Sequence, residues 1–161
     1  MYICFGAMKN GFLGGGRKII ALDGCFLEGL CKGELLAAVG RDANDQMYPI
    51  AWVVVEVELR SSWDWFLKEL KDDLCIEEGA GWAFTSDQMK GLVPAIVELF
   101  PNAEHLFCAR HIYSNWRKKF RNRAWEKMFW ACAKGPLQFH LTEHGKDHLL
   151  KIKKLQLHCC Q

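Results

Sequence analysis

The spacing of apolar and polar positions changes along the chain, and this change predicts the order of its secondary structure. Three apolar runs come first, over residues 17–23, 33–39 and 49–57. Each run has the length and the aliphatic or β-branched content that is typical of a strand. The polar cluster over residues 40–46 separates the second run from the third and predicts an antiparallel hairpin. We expect the first run to pair with this hairpin as a meander.

After the third run the apolar positions take up a helical period. One helical stripe is formed by Trp63, Phe66, Leu67, Leu70 and Leu74. The stripe predicts a helix from about residue 61 to residue 74. The remaining predicted elements are a strand ending at Asp87, a helix over residues 91–100, a strand over residues 103–108 and a basic helix that reaches about residue 133. The order β-β-β-α-β-α-β-α predicts an α/β fold with a five-stranded mixed sheet flanked by helices.

Two aspartates each end one of the apolar strand runs. Asp23 follows residues 17–22 and Asp87 follows residues 81–86, and a turn comes after each of them. Carboxylates at the ends of two neighbouring strands can bind a hard divalent cation through oxygen, which is the scaffold of two-metal phosphoryl transfer. The alternative is that either aspartate caps its turn, because Asp is common at turns.

The composition narrows the class of protein. The chain has 161 residues, is 50% hydrophobic and 25% charged, and therefore fits one globular domain with a buried core. No apolar stretch approaches the roughly 20 residues that span a bilayer, so we expect no membrane association. The eight cysteines are irregularly spaced and mostly lie inside apolar runs. Their placement indicates buried free thiols in a reducing compartment.

Positive charge is concentrated in one segment. Residues 110–127 contain seven Lys or Arg and a single Glu, so this segment carries +6 within a chain whose net charge is +2. Tyr113, Trp116, Phe120 and Trp125 are interleaved with these charges. A basic helix with aromatic residues can follow a phosphate backbone. A solvated helix face with its aromatic side chains in the core is the alternative.

Six stretches of the chain form recognisable motifs. They are Tyr2–Phe12, Leu22–Gly29, Gly40–Ala51, Val55–Glu58 with Ser62–Leu67, Phe84–Leu92 and His105–Asn115. In this order they resemble the Mutator-like element (MULE) transposase domain of plants, over about residues 2–134. The resemblance implies a ribonuclease-H-like fold and a DNA transposase that cleaves and joins DNA with Mg²⁺ or Mn²⁺.

The resemblance also assigns residues and partners. Asp23 and Asp87 match the first two catalytic, metal-binding aspartates of the family. Cys108 and His111 match its Cys-x-x-His element near the site. The predicted contacts to the DNA backbone are Arg110, Arg117, Lys118, Lys119, Arg121 and Arg123. DNA and other transposase subunits are the expected partners, a small-molecule substrate is not expected, and the expected location is the nucleus.

The third catalytic acid of the family, a glutamate, matches no residue of this chain. The sequence therefore predicts a fragment of a transposase catalytic core that is inactive alone. One alternative is a domesticated, transposase-derived DNA-binding or transcription-regulatory protein, and another is a non-functional transposon remnant.

Residues 1–134 are predicted as the partial transposase domain and residues 135–161 as a divergent or disordered tail. An altered reading frame or truncated gene could account for this tail, and so could a divergent amphipathic helix. A zinc site combining Cys108 and His111 with the tail residues His158, Cys159 and Cys160 is conceivable, but packing and hydrogen bonding are the expected role of the Cys-x-x-His pair.

Overall fold

The computed structural model describes residues 1–29 and 32–134. The strands are β1 (Tyr2–Cys4), β2 (Arg17–Leu27), β3 (Gly33–Arg41), β4 (Met47–Val55), β5 (Ala83–Ser86) and β6 (Glu104–Phe107). The helices are α1 (Gly6–Gly15), α2 (Arg60–Asp73), α3 (Leu92–Leu99), α4 (Ala109–Arg117) and α5 (Arg123–Lys134). The chain divides into two compact units, Met1–His105 and Leu106–Gln161.

The strands form one mixed sheet in the order β1-β4-β3-β2-β5-β6. β2, β3 and β4 are antiparallel neighbours, which confirms the predicted meander. β5 lies on the other side of β2 and runs parallel to it, with Leu22 opposite Ser86. β2 therefore has a partner strand along each edge, so its backbone is held firmly in the middle of the sheet.

The core of the first unit lies on one face of this sheet. Ile20 and Leu22 of β2 and Leu36 of β3 are fully or almost fully buried, and they alternate with more exposed neighbours as the two-residue period of a strand requires. The predicted stripe of α2 belongs to the same buried cluster, with Trp63, Phe66, Leu67 and Leu70 inaccessible to solvent. The helical period was therefore a correct guide to the face that α2 buries.

The prediction of five strands is wrong, because the described part of the chain forms six. The additional strand is β1, in which Tyr2 pairs with Val53 at the edge of the sheet. Three residues are too short for a period to be visible, and their pairing is set by a partner about fifty positions away. The helix α1 was also missed, since its four glycines have low helix propensity.

The predicted single basic helix is two helices, α4 and α5. The break covers residues 118–122, and Asn122 begins α5 by accepting a hydrogen bond from the Ala124 N–H at 2.9 Å. In the second unit, Ala109 and Phe129 are buried among partly buried aromatic side chains. Phe120 and Trp125 remain exposed. The alternative that the aromatic side chains of this segment lie in the core is therefore correct for Trp116, which packs on Phe129. It is wrong for Phe120, which is exposed.

Residues 135–161, and with them the predicted tail and the conceivable zinc ligands His158, Cys159 and Cys160, lie outside the described residues. Among the helices of residues 1–29 and 32–134, none is long and apolar enough to cross a membrane.

Candidate active site

Asp23 and Asp87 lie on neighbouring parallel strands. The last paired residues of β2 and β5 are Leu22 and Ser86, and the two aspartates are the next residues of their respective chains. Asp87 directly follows the end of β5, as predicted. Asp23 does not end its strand, because β2 continues to Leu27 through its pairing with β3. Within residues 1–29 and 32–134, the edge of β2 that faces β5 consequently has no paired strand beyond Leu22.

The local hydrogen bonds hold both carboxylates against their own backbone. Asp87 Oδ1 accepts the N–H of Met89 at 3.0 Å, so this residue does cap its turn. Asp23 Oδ1 accepts the N–H of Gly24 at 3.0 Å. Asp23 is exposed and Asp87 is partly buried. Turn capping and cation binding are compatible for Asp87, since the hydrogen bond to Met89 engages Oδ1 alone in this arrangement.

The loop before α2 places a third carboxylate, that of Glu58, beside Gly24 of β2. The indole Nε1–H of the buried Trp63 donates to Glu58 Oε1 at 2.9 Å. A Cβ placed on Gly24 would lie 3.1–3.2 Å from the carboxylate atoms of Glu58. The carboxylate of Glu58 therefore occupies the space that the missing side chain of Gly24 leaves open, one residue after Asp23.

Burial raises the pKa of Glu58, and the hydrogen bond from Trp63 opposes this effect. The charges of Asp87, Glu34 and Asp23 raise the same pKa further. The charges of both predicted catalytic aspartates therefore act on the carboxylate of Glu58. Glu58 belongs to one of the six motifs, yet the sequence pattern does not mark it as a site residue. Its isolated position in a loop provided no periodic signal.

A fourth acid, Glu34, lies in β3 between Phe26 of β2 and Val55 of β4. Its Oε2 atom is buried and, among the described residues, has no hydrogen-bond partner. A buried carboxylate oxygen that accepts no hydrogen bond raises the free energy of the folded state unless a proton or a cation binds to it. Oxygen donors of this kind suit a hard divalent cation such as Mg²⁺ or Mn²⁺. Across residues 1–29 and 32–134, however, no three His, Cys, Asp or Glu side chains are arranged so that they could hold a metal ion.

Ser86 and His105 fix the backbone beside Asp87. Ser86 is 1% exposed, and its hydroxyl oxygen lies 2.8 Å from His105 Nε2. Ser86 also donates to the carbonyl oxygen of Asp87 at 2.8 Å, so its Oγ is left to accept from the Nε2–H of His105. Burial lowers the pKa of His105, which favours the neutral imidazole at neutral pH. This pair is not evident in the sequence, because the fold brings together two side chains that are 19 positions apart.

The remaining predicted residues lie in the second unit. Cys108 directly precedes α4, and its carbonyl accepts the N–H of Ile112 at 3.1 Å. His111 follows in the first turn of the helix. The predicted DNA contacts are all exposed: Arg110, Arg117, Lys118, Lys119, Arg121 and Arg123. A cleft of this unit is lined by Tyr113, Arg117, Phe120, Arg121, Asn122, Arg123 and Glu126.

The sequence profile of the MULE transposase domain matches residues 19–115, which is more than half of the chain. The chain belongs to the MULE transposase domain family. Asp23, Glu58, Asp87 and Cys108 all fall inside the matched region. Of the predicted DNA contacts, Arg110 lies inside it, and the other five, from Arg117 onward, lie beyond its end.

Comparison with curated protein sequences found no match. Among solved structures, a similar chain occurs in "CryoEM structure of simian T-cell lymphotropic virus intasome in complex with PP2A regulatory subunit B56 gamma". The TM-score is 0.41 and the sequence identity is 11%, and the alignment covers 77% of this chain and 51% of that chain. The MULE domain protein thus spans about half the length of that neighbour.

Proposed function

We propose that this chain carries part of the catalytic core of a MULE-type DNA transposase, whose parent activity is metal-dependent DNA cleavage and strand transfer. The observation that carries this proposal is the placement of Asp23 and Asp87. Both lie within the region that matches the MULE transposase domain, and each directly follows the last paired residue of one of two adjacent parallel strands. A sheet centre is a rigid support for a site whose donors must be held in place.

The ribonuclease-H-like arrangement forms part of this proposal. From β2 onward, the elements follow the order β-β-β-α-β-α-β-α-α, with β1 and α1 before them. The last two helices, α4 and α5, take the place of the single predicted basic helix. β2 is central in this order, and the two aspartates belong to β2 and to the loop after β5. The order of elements supports the assignment because it accounts for the long separation of Asp23 and Asp87 in the sequence.

Asp23 and Asp87 would hold Mg²⁺ or Mn²⁺ through their carboxylate oxygens. When bound, such a cation polarises a phosphoryl oxygen and activates the attacking water or 3′-hydroxyl. The chain contributes the fixed geometry. Met89 orients the Asp87 carboxylate, and Ser86 with His105 fixes the adjoining peptide. Because the family's third acid matches no residue, we propose that this chain alone does not cleave DNA.

Metal binding tests the proposal directly. In calorimetry of the full chain with Mn²⁺, we expect Asp23→Asn and Asp87→Asn each to weaken affinity at least about tenfold. Asp72→Asn is the matched control, since this exposed aspartate lies at the far end of α2. Equal Mn²⁺ affinity in wild type and in both site variants would overturn the shared site.

A plasmid assay tests the second part of the proposal. With supercoiled DNA and Mg²⁺ or Mn²⁺, we expect the wild-type chain to nick no faster than Asp87→Asn. Nicking by the wild type that Asp87→Asn abolishes would show that the chain is active alone.

The exposed basic residues of the second unit favour one further candidate function, a domesticated DNA-binding or regulatory protein. Arg117, Lys118 and Arg121 line an open cleft together with Ser114. Such a surface can bind phosphates without regard to sequence. In either role we propose a nuclear location with DNA as the partner, and an oligomer in the transposase role. Mn²⁺ binding at Asp23 and Asp87 would favour the transposase core. DNA binding in the absence of Mn²⁺ binding would favour the domesticated regulatory protein.

A further inference from the structure

The junction between α4 and α5 presents aromatic side chains to solvent. Phe120 and Trp125 are 38% and 42% exposed, although both rings are large and apolar. Phe120 lies in the break between the two helices, and its backbone N–H donates to the Trp116 carbonyl at 3.1 Å. Its ring centroid lies 4.9 Å from that of Trp116 and 5.9 Å from that of Trp125. The ring of Phe120 is therefore held between two neighbours and is still partly open to solvent.

Phe120 lines a cleft of about 400 Å³, the aromatic cleft, whose lining residues all belong to the second unit. Tyr113 contributes another ring to it, and Arg117, Arg121 and Arg123 contribute guanidinium groups. Aromatic rings bind the bases of single-stranded nucleic acids by stacking, because every base has a π-face, and arginine adds cation–π contacts. The aromatic cleft therefore combines the side chains that bind an unpaired base.

A second cleft, the basic cleft, shares two residues with the first. Arg117 and Arg121 line it together with Ser114 and Lys118, and its volume is about 410 Å³. Cationic and hydroxyl side chains are the usual donors to the phosphates of DNA. The aromatic cleft instead includes the carboxylate of Glu126, which repels a phosphate but not an uncharged base. The two clefts therefore suit different parts of one nucleotide chain.

The two arginines that the clefts share are open to an anion from outside. Both are exposed. Within residues 1–29 and 32–134, the ion pairs join Lys9, Arg17 and Arg60 to acids of the first unit, so no carboxylate of that part pairs with Arg117 or Arg121. A guanidinium group can donate to a phosphate through its edge and stack through its plane.

We propose that the α4–α5 junction binds single-stranded DNA, with an unpaired base stacked on Phe120 in the aromatic cleft and an adjoining phosphate on Arg117 and Lys118 in the basic cleft. This inference rests on the proposed function, from which it takes DNA as the partner, and deepens it by naming the form of DNA. Cutting or opening a duplex exposes unpaired bases. An intact duplex offers phosphates to the same cations but keeps its bases within the stack, so it leaves the aromatic cleft unfilled.

The wild-type chain tests the role of the base without any substitution. Fluorescence anisotropy compares a labelled thymidine oligonucleotide with an abasic strand of equal length, which keeps the phosphates and lacks the bases. We expect the abasic strand to bind at least about fivefold more weakly, which is the effect of losing one stacked base. The dependence of affinity on salt should be the same for both strands, because the phosphates are the same. Equal affinity for the two strands would overturn the inference.

Substitution of Phe120 tests the protein side of the same contact. Phe120→Leu keeps an apolar side chain but removes the ring, and we expect it to weaken binding of the thymidine strand at least about fivefold without altering affinity for a duplex of equal length. Phe120→Tyr keeps the ring and should retain the affinity of the wild type. Phe5→Leu is the matched control, since it alters an exposed phenylalanine of the first unit, and it should change neither affinity.

The outcomes separate this inference from the proposed function. Full single-strand affinity in Phe120→Leu overturns the inference, and duplex binding by the wild type with Mn²⁺ binding at Asp23 and Asp87 leaves the proposed function standing. Equal losses of single-strand and duplex affinity in Phe120→Leu also overturn the inference, because they would show that the ring supports the fold of the basic surface. Absence of binding to either form of DNA by the wild type overturns the inference together with the DNA partner on which it rests.

Discussion

Asp73 is the side chain that attaches the first strand and helix to the end of α2. Its Oδ2 accepts the hydroxyl of Tyr2 at 2.7 Å, and its Oδ1 accepts Nζ of Lys9 at 3.0 Å. Both bonds join residues that are more than sixty positions apart. Asp73→Asn is therefore expected to destabilise the contact of β1 and α1 with α2, without touching the candidate active site.

The charge of Asp73 determines both the size of this effect and its pH dependence. Burial opposes the carboxylate, but hydrogen bonds from Tyr2, Lys9 and Cys4 outweigh it and lower its pKa. A lowered pKa means that the folded state binds the proton more weakly than the unfolded state. The stabilisation is complete above the ordinary aspartate pKa of about 3.9 and is lost as pH falls through the lower value.

The magnitude follows from the two partners. A hydrogen bond to a charged group contributes about 1.5–3 kcal/mol, and a partly exposed ion pair contributes at most about 1 kcal/mol. Asparagine keeps one acceptor oxygen, so we expect Asp73→Asn to lower the free energy of unfolding by about 1–2 kcal/mol at neutral pH. Urea unfolding over a descending pH series measures it, with Asp72→Asn as control. A loss that stays constant down to about pH 3, or an equal loss in the control, would refute the reasoning.

Two further predictions concern the DNA surface and the support of Asp87. Replacing Arg117, Lys118 and Lys119 with Gln should flatten the slope of log affinity for DNA against log salt concentration by roughly one unit per lost phosphate contact. Fluorescence anisotropy measures this slope, and the control Lys68→Gln should leave it unchanged. An unaltered slope in the triple variant would show that this surface does not contact DNA. Ser86→Ala should lower the free energy of unfolding by about 1–3 kcal/mol, because it removes the two hydrogen bonds that the buried Ser86 hydroxyl makes, to the Asp87 carbonyl and to His105. Denaturant unfolding that gives a loss below about 0.5 kcal/mol would contradict this.

The strong periods of the sequence predicted the elements that support the site. The meander of β2, β3 and β4 and the buried stripe of α2 depend on local alternation, which a single sequence displays. The position of Asp23 and Asp87 after two apolar runs predicted that they lie on neighbouring strands. The register that sets Leu22 opposite Ser86 was not readable, because it is a property of two strands and of neither alone.

The elements that were missed have weak local signals and long-range causes. Tyr2–Cys4 becomes a strand only because β4 offers a free edge, and Gly6–Gly15 is helical despite its glycines. The basic segment has a continuous charge pattern, yet Asn122 starts a new helix within it. Charge alone does not reveal where a helix ends.

Trp63 shows why the candidate site could not be read from acidic residues alone. Its indole belongs to the buried core, and a phenylalanine could fill much of the same apolar space. Only the indole also has an N–H that can donate to Glu58. The packing of α2 therefore determines the orientation of a carboxylate beside β2, and Gly24 supplies the room for it. Core and site are coupled through this one hydrogen bond, so the position of Glu58 depends on how the whole first unit folds rather than on the loop in which it lies.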